Sequence, residues 1–235
     1  MKNSVKKAAF FVLIVLSLAG IIVWQFFFSA QINYYITSVA LLILSMLPFF
    51  ISFEVKKLDS REITLTSSLI ALAVVSRAAF YLIPQVKPIA AVVIASAVCL
   101  GAERGYIVGA FSAFVSNFIF SQGIWTPFQM VALGLVGFFA GMIFRKEKQN
   151  KYLLALYGFI SAAFLYGFIV DISTVLVSMG DNITLSGIAS VYAAGMPFNL
   201  VFGISTAVFL LLFGESFIRK IKRIDTKYNI IKTGD

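Results

Sequence analysis

The sequence contains no histidine, and its 235 residues include a single cysteine, Cys99. Without histidine there is no imidazole to ligate a metal or to act as a general base near neutral pH. One cysteine cannot close an internal disulfide, so the redox compartment stays open. Charge is also scarce. Asp, Glu, Lys and Arg make up 12% of the chain, where a soluble domain carries about a quarter. Hydrophobic residues reach 60%, so a globule of this size would lack the polar residues to cover itself, and lipid is the expected solvent for most of the perimeter. No segment alternates apolar and polar residues as a barrel strand must. No H-E-x-x-H, no G-x-x-x-x-G-K-[ST] and no histidine-paired nucleophile occurs, so the chain has no visible means of hydrolysing ATP. No catalytic residue, metal site or cofactor is expected.

What is present is a series of apolar runs, at about 8–30, 33–53, 63–83, 88–101, 105–120, 127–144, 152–178 and 186–218. Most approach the ~20 residues a membrane span needs. The runs at 88–101 and 105–120 are short, and read as tilted or partly buried helices or as one broken hairpin. Lys2, Lys6 and Lys7 before an apolar stretch resemble a signal peptide, but 8–30 is too long for an h-region and no A-x-A site follows, so a first span is predicted. The net charge of +9 sits in short clusters between the runs, which speaks against nucleic-acid binding and for a bilayer with anionic lipid. Threading about eight spans with both termini in the cytoplasm puts all but Lys87 and Arg77 of the 19 cations inside, as the positive-inside rule requires.

The charged stretch at 54–62 (EVKKLDSRE) marks a seam. The spans before it are almost purely apolar, whereas those after it carry Arg, Asn, Gln, Asp and many small residues. Residues 1–58 read as an accessory transmembrane hairpin, 59–218 as a six-helix substrate-binding core, and 219–235 as a basic cytoplasmic tail. The fold class is an all-α integral membrane protein, without a convincing internal repeat.

Within the core, Arg77 and Asp171 fall in the outer halves of their spans. Ionisable residues there are costly and point to a site by default, although a purely stabilising Arg77–Asp171 pair needs the same geometry. The densest polar stretch is Ser116–Met130, SNFIFSQGIWTPFQM. Asn117, Gln122, Trp125, Thr126 and Gln129 offer amides and a hydroxyl beside an aromatic face, which suits an uncharged or zwitterionic ligand with a large flat surface. Lys87 lies in the proline-flanked loop Pro84–Pro88, a further outer loop carries Asp181 and Asn182, and Asn199 follows Pro197 in the last span, where a kink would free carbonyls toward a cavity. Ser67 and Ala71, spaced i, i+4, form a small-residue face that allows close helix approach, best read from spacing alone as packing within the bundle.

These residues also carry a resemblance. Ser76-Arg77, Ile83-Pro84, Lys87-Pro88, Gly101-Ala-Glu-Arg-Gly105, Asn117 and Gly123-Ile-Trp-Thr-Pro-Phe-Gln-Met130 resemble the substrate-binding S-components of energy-coupling factor (ECF) vitamin transporters, most closely the cobalamin-type group. The resemblance spans about 70–210. It implies a six-helix subunit that binds a vitamin from outside and works with a membrane coupling subunit and two ATPases, Ser67 and Ala71 standing where that family contacts the coupling subunit. It also implies cobalamin or a corrinoid precursor as ligand, its amide periphery meeting Asn117, Gln122, Gln129 and Asn199. A queuosine precursor or a pyridoxine-type vitamin fits nearly as well. The alternatives are a stand-alone ion-coupled carrier, for which Asp171 is the one candidate carboxylate, a membrane-embedded lipid enzyme, for which Glu103 and Arg104 are a thin basis, and a structural subunit.

Overall fold

A computed structural model describes residues 59–144, 150–180, 183–228 and 230, with Ala40 and Ile43 as isolated positions. The expected hairpin at 1–58 lies outside the described residues apart from those two, as do Arg145, Lys146 and Lys148 of the expected basic loop and Asp181 and Asn182. Among the described residues there is no strand. From residue 59 onward the described residues form six helices that run alternately up and down: α1 (Ser60–Ala79), α2 (Ile89–Leu100), α3 (Ala102–Phe120), α4 (Trp125–Ile143), α5 (Lys151–Met179) and α6 (Leu185–Tyr228). Four of them, α1, α4, α5 and α6, are long and apolar enough to cross a membrane. The loops at 80–88 and 121–124 share one end of the bundle, the loop end, with Gly180 and with Ile183 and Thr184. Gly101, Phe144 and Asn150 mark the other, the basic end.

The short run before Gly101 is no full span. At twelve residues, α2 rises about 18 Å, against a hydrocarbon thickness of about 30 Å. It is apolar on every side, and such a helix belongs in a core. Its residues from Ile89 to Leu100 are accordingly nearly all buried. Gly101 alone separates α2 from α3, at φ 89°, a conformation that an L side chain resists.

α3 and α4 form the most intimate pair. A Cβ on Gly109 would meet the backbone of Leu133 and Gly134, and one on Gly137 would meet the carbonyl of Gly105. The Gly105-x-x-x-Gly109 and Gly137-x-x-x-Gly141 spacings let the two backbones touch, the small-residue contact that replaces hydrophobic driving force in lipid. Tyr106, Met130, Leu133 and Phe138 fill the space around this seam and are fully buried.

α5 and α6 are each interrupted by π-helical stretches, Ser161–Tyr166 and Leu210–Gly214. Both helices continue through them, because i→i+5 bonding keeps the backbone paired while widening the turn. α6 runs on past Gly214 as an amphipathic segment to Tyr228, seated by Ile218 and Ile221. Arg61 Nη1 donates to the Tyr228 carbonyl (2.9 Å), and Arg104 pairs with Glu62 at 2.5 Å. The positions expected to pack inside the bundle on α1 do not: Ser67 and Ala71 are exposed, along with Thr64, Ser68 and Val75 on the same side of the helix.

Candidate functional site

At the loop end α1, α3, α4, α5 and α6 splay around a cavity of about 240 Å³. Of the residues singled out in the sequence, Arg77, Lys87, Gln129, Asp171 and Asn199 line it. Gln129 also faces a wider, more open cleft of about 400 Å³, together with Trp125. Val170 contributes to both, so the cleft adjoins the cavity.

Arg77 is anchored from behind. Its Nη1 donates to Ser116 Oγ (2.5 Å) and Asn117 Oδ1 (2.9 Å), both on α3. Its guanidinium carbon lies 4.2 Å from the centre of the Phe120 ring, and the Lys87 ammonium 5.8 Å from the same ring, distances at which a cation is held by the aromatic quadrupole. Asn117 is buried and serves as the hub. Its amide nitrogen donates to Thr126 Oγ1 and to Gln129 Oε1, each at 2.9 Å. Thr126 in turn donates to Gln122 Oε1 (2.9 Å) and accepts from the Gly123 amide (3.2 Å). Gln122 Nε2 closes the turn on the Phe114 carbonyl (3.0 Å). One network thus ties α1 to α3 and α3 to α4, and it fixes Gln129 by its oxygen.

Arg77 and Asp171 do not form the pair the sequence allowed. Span position gives depth but not rotation about the helix axis, and Asp171 turns instead to Asn199 on α6, whose Nδ2 donates to its Oδ2 at 2.8 Å. Glycines make room for this contact, Gly195 against the Asp171 carboxylate and Gly167 against the Asn199 amide. α6 passes through Pro197 as a continuous helix, and the missing proline N–H leaves the Ala193 carbonyl without its usual helical donor.

The remaining site residues serve from outside the cavity wall. Asn117, Gln122 and Thr126 stand behind it as support, and Trp125, about two-fifths exposed, borders the open cleft and packs over Gly123. Sequence reasoning missed Gln85, Tyr166, Phe198 and Phe202, which also line the cavity. Gln85 carried one readable signal, a polar residue between Pro84 and Pro88. It sits at φ 58°, and Ser121 at φ 78°. Two non-glycine residues in this region, both at the loop end, cost about 1–3 kcal/mol each, strain that collects at functional sites. The 80–88 loop is held down by Lys87 N donating to Ser205 Oγ (3.1 Å). Burial, and then the charge of Arg77, push the Lys87 ammonium down to about 8.

The family model for the ECF-type riboflavin transporter, S component, matches residues 57–219, more than half of the chain. The chain belongs to this family. As an S-component it is a membrane-embedded transport subunit that works with ECF partner subunits on a vitamin. The match leaves the cobalamin-type group without support of its own. No curated protein and no solved structure matches the chain.

Proposed function

We propose that this S-component captures a flat, polar vitamin in the cavity at the loop end, which faces the outside, and delivers it inward with the energy of partner ATPases. The observation that carries the reading is the partly enclosed cavity in which Arg77, Lys87, Gln129, Asp171 and Asn199 converge between aromatic and aliphatic walls, the composition expected of a small-molecule site. Both termini lie in the cytoplasm in this reading, because the cations gather at the basic end. The exposed Ser67 and Ala71 side of α1 is the surface offered to the membrane coupling subunit, since small residues let another helix approach.

For the ligand, size is the guide. Pockets that engulf drug-sized molecules measure about 300–1,000 Å³. A cavity of about 240 Å³ beside a cleft of about 400 Å³ suits a single fused ring system with its substituent in the cleft, the build of riboflavin, the vitamin in the family's name. Cobalamin is the second reading, favoured by the open cleft beside Trp125, over which a corrinoid would spread.

Equilibrium binding to the purified protein in detergent tests both, with riboflavin followed by its fluorescence and cobalamin by its absorbance. Saturable binding of either at about one per chain, weakened at least tenfold by Gln129→Ala, a loss of about 1.4 kcal/mol, supports the proposal, and the vitamin bound decides between its two forms. Uptake that persists without ATPase partners and is abolished by Asp171→Asn would replace it with an ion-coupled carrier.

A further inference from the structure

Arg77 is buried, yet its two hydrogen bonds go to neutral acceptors, Ser116 and Asn117, and both start from Nη1. A guanidinium has five N–H donors. Those on Nε and Nη2 have no hydrogen-bond partner among the described residues, and no carboxylate of the described residues pairs with Arg77 or Lys87. Both cations line the cavity and both lie over Phe120. Among the described residues the one cavity carboxylate is Asp171, and it accepts from Asn199. Among the described residues, two cations against one occupied carboxylate leave an excess positive charge in a partly enclosed, aromatic-walled space. A buried charge is costly unless an opposite charge and hydrogen bonds meet it, and an intramembrane arginine without a counter-ion marks the place where one arrives.

We infer that the cavity takes its vitamin in a form that carries an anionic oxygen group, a carboxylate or a phosphate (for a riboflavin-type ligand, its phosphate ester), bound between the free edge of the Arg77 guanidinium and the Lys87 ammonium. The inference rests on the capture reading above and narrows its substrate class. The planar fork of arginine takes two oxygens of such a group at once, and lysine adds a point charge from the loop. Phe120 holds both cations in place from the side away from the ligand, and the Ser116–Asn117 anchor stops the guanidinium from swinging to solvent. The rest of the ligand then extends toward Gln129 and the Trp125 cleft.

The test uses matched pairs on the purified full chain, riboflavin with flavin mononucleotide and nicotinamide with nicotinate, with cobalamin as an additional probe. The first pair reports a phosphate and the second a carboxylate. The expected result is that the anionic member of one pair binds at least about tenfold more tightly than its neutral partner. Lys87→Gln, a loop change outside the buried network, should remove most of that preference, and Arg77→Lys, which keeps the charge but loses the fork, should reduce it. A neutral member bound as tightly as its anionic partner, or a preference unchanged in Lys87→Gln, overturns the anion clamp and leaves capture standing. Failure of every probe to bind overturns the capture reading itself and the clamp with it.

Discussion

Asn117→Ala removes the hub of the polar network. Three hydrogen bonds go with it: one accepted from Arg77 and two donated to Thr126 and Gln129. Two scales bound the cost. Hydrogen bonds between membrane helices average about 0.6 kcal/mol, with a maximum near 1.7, because the separated helices find other partners. A bond to a charged group in a folded protein contributes about 1.5–3 kcal/mol. Arg77 keeps Ser116, and Thr126 keeps Gln122, so neither is stranded, whereas the Gln129 oxygen is left facing the cavity. The sum is about 2–4 kcal/mol. At about 2–4 °C per kcal/mol for a chain of this size, the melting temperature should fall on the order of 10 °C. Cys99 supplies the assay, since it is the only thiol in the chain and is partly buried with its Sγ 3.7 Å from the Ile218 carbonyl. A thiol-reactive dye therefore reports unfolding at one site. Asn117→Asp keeps the acceptor for Arg77 and loses both donations, so it should fall between parent and alanine variant. An alanine variant that melts within about 2 °C of the parent would refute the claim that this network holds α1, α3 and α4 together.

Two further outcomes follow from other parts of the molecule. Gly109→Ala drives a methyl group into the Leu133 backbone and should cost about 1–3 kcal/mol by overpacking, whereas Gly214→Ala, whose new Cβ would rest at 3.4 Å from a Leu210 methyl, should melt at or above the parent; equal melting of the two variants would sink the close-contact account of α3 and α4. Lys87, held at about 8 against an ordinary 10.5, loses its proton earlier in the folded protein than in the unfolded chain, so the unfolded state binds more protons between those values and stability should rise with pH across that window. Among the described residues the charged and titratable groups that line the cavity with it are Arg77 from α1 and Tyr166 and Asp171 from α5, and of these Arg77 acts on its charge. In melts from about pH 7 to 10.5, Lys87→Met should be more stable than the parent at the low end and lose that advantage at the high end, and parallel curves for the two proteins would contradict the assignment.

Much of the site was legible because the bilayer makes polarity conspicuous. Arg77, Asp171, Gln129 and Asn199 each interrupt an apolar run, and the structure brings all of them to one cavity. Residues of the opposite kind were illegible for the same reason. Phe198 and Phe202 line the cavity, but in sequence they resemble the many phenylalanines that face lipid. Asn117 and Thr126 could be singled out but not assigned, since composition does not distinguish a group that faces a ligand from one that holds the wall behind it. Ser67 and Ala71 show the converse. Spacing marks a face suited to close approach, yet not whether the approaching helix belongs to the bundle, and here Ser67 and Ala71 are exposed. The α3–α4 glycines were visible as letters but not as a seam, because several neighbouring helices have similar small residues and only three-dimensional pairing selects one.

The wide turn at Ser161–Tyr166 separates two jobs within α5. Toward the basic end, Gly158 is pressed against Leu210 of α6, and that half is committed to packing. Beyond the turn, Val170 and Asp171 face the cavity. Each residue of a helix advances the face by about 100°, and a π turn takes in one residue more than an α turn. A one-residue insertion or deletion within 161–166 would therefore swing the whole of Gly167–Met179 to a new bearing while the packed half stayed in place. The side chains that Gly167–Met179 turns toward the cavity can be exchanged together by a length change in this turn, which itself places only Tyr166 on the cavity wall, so what the cavity presents in related chains should track gaps at this turn as much as substitutions in its lining.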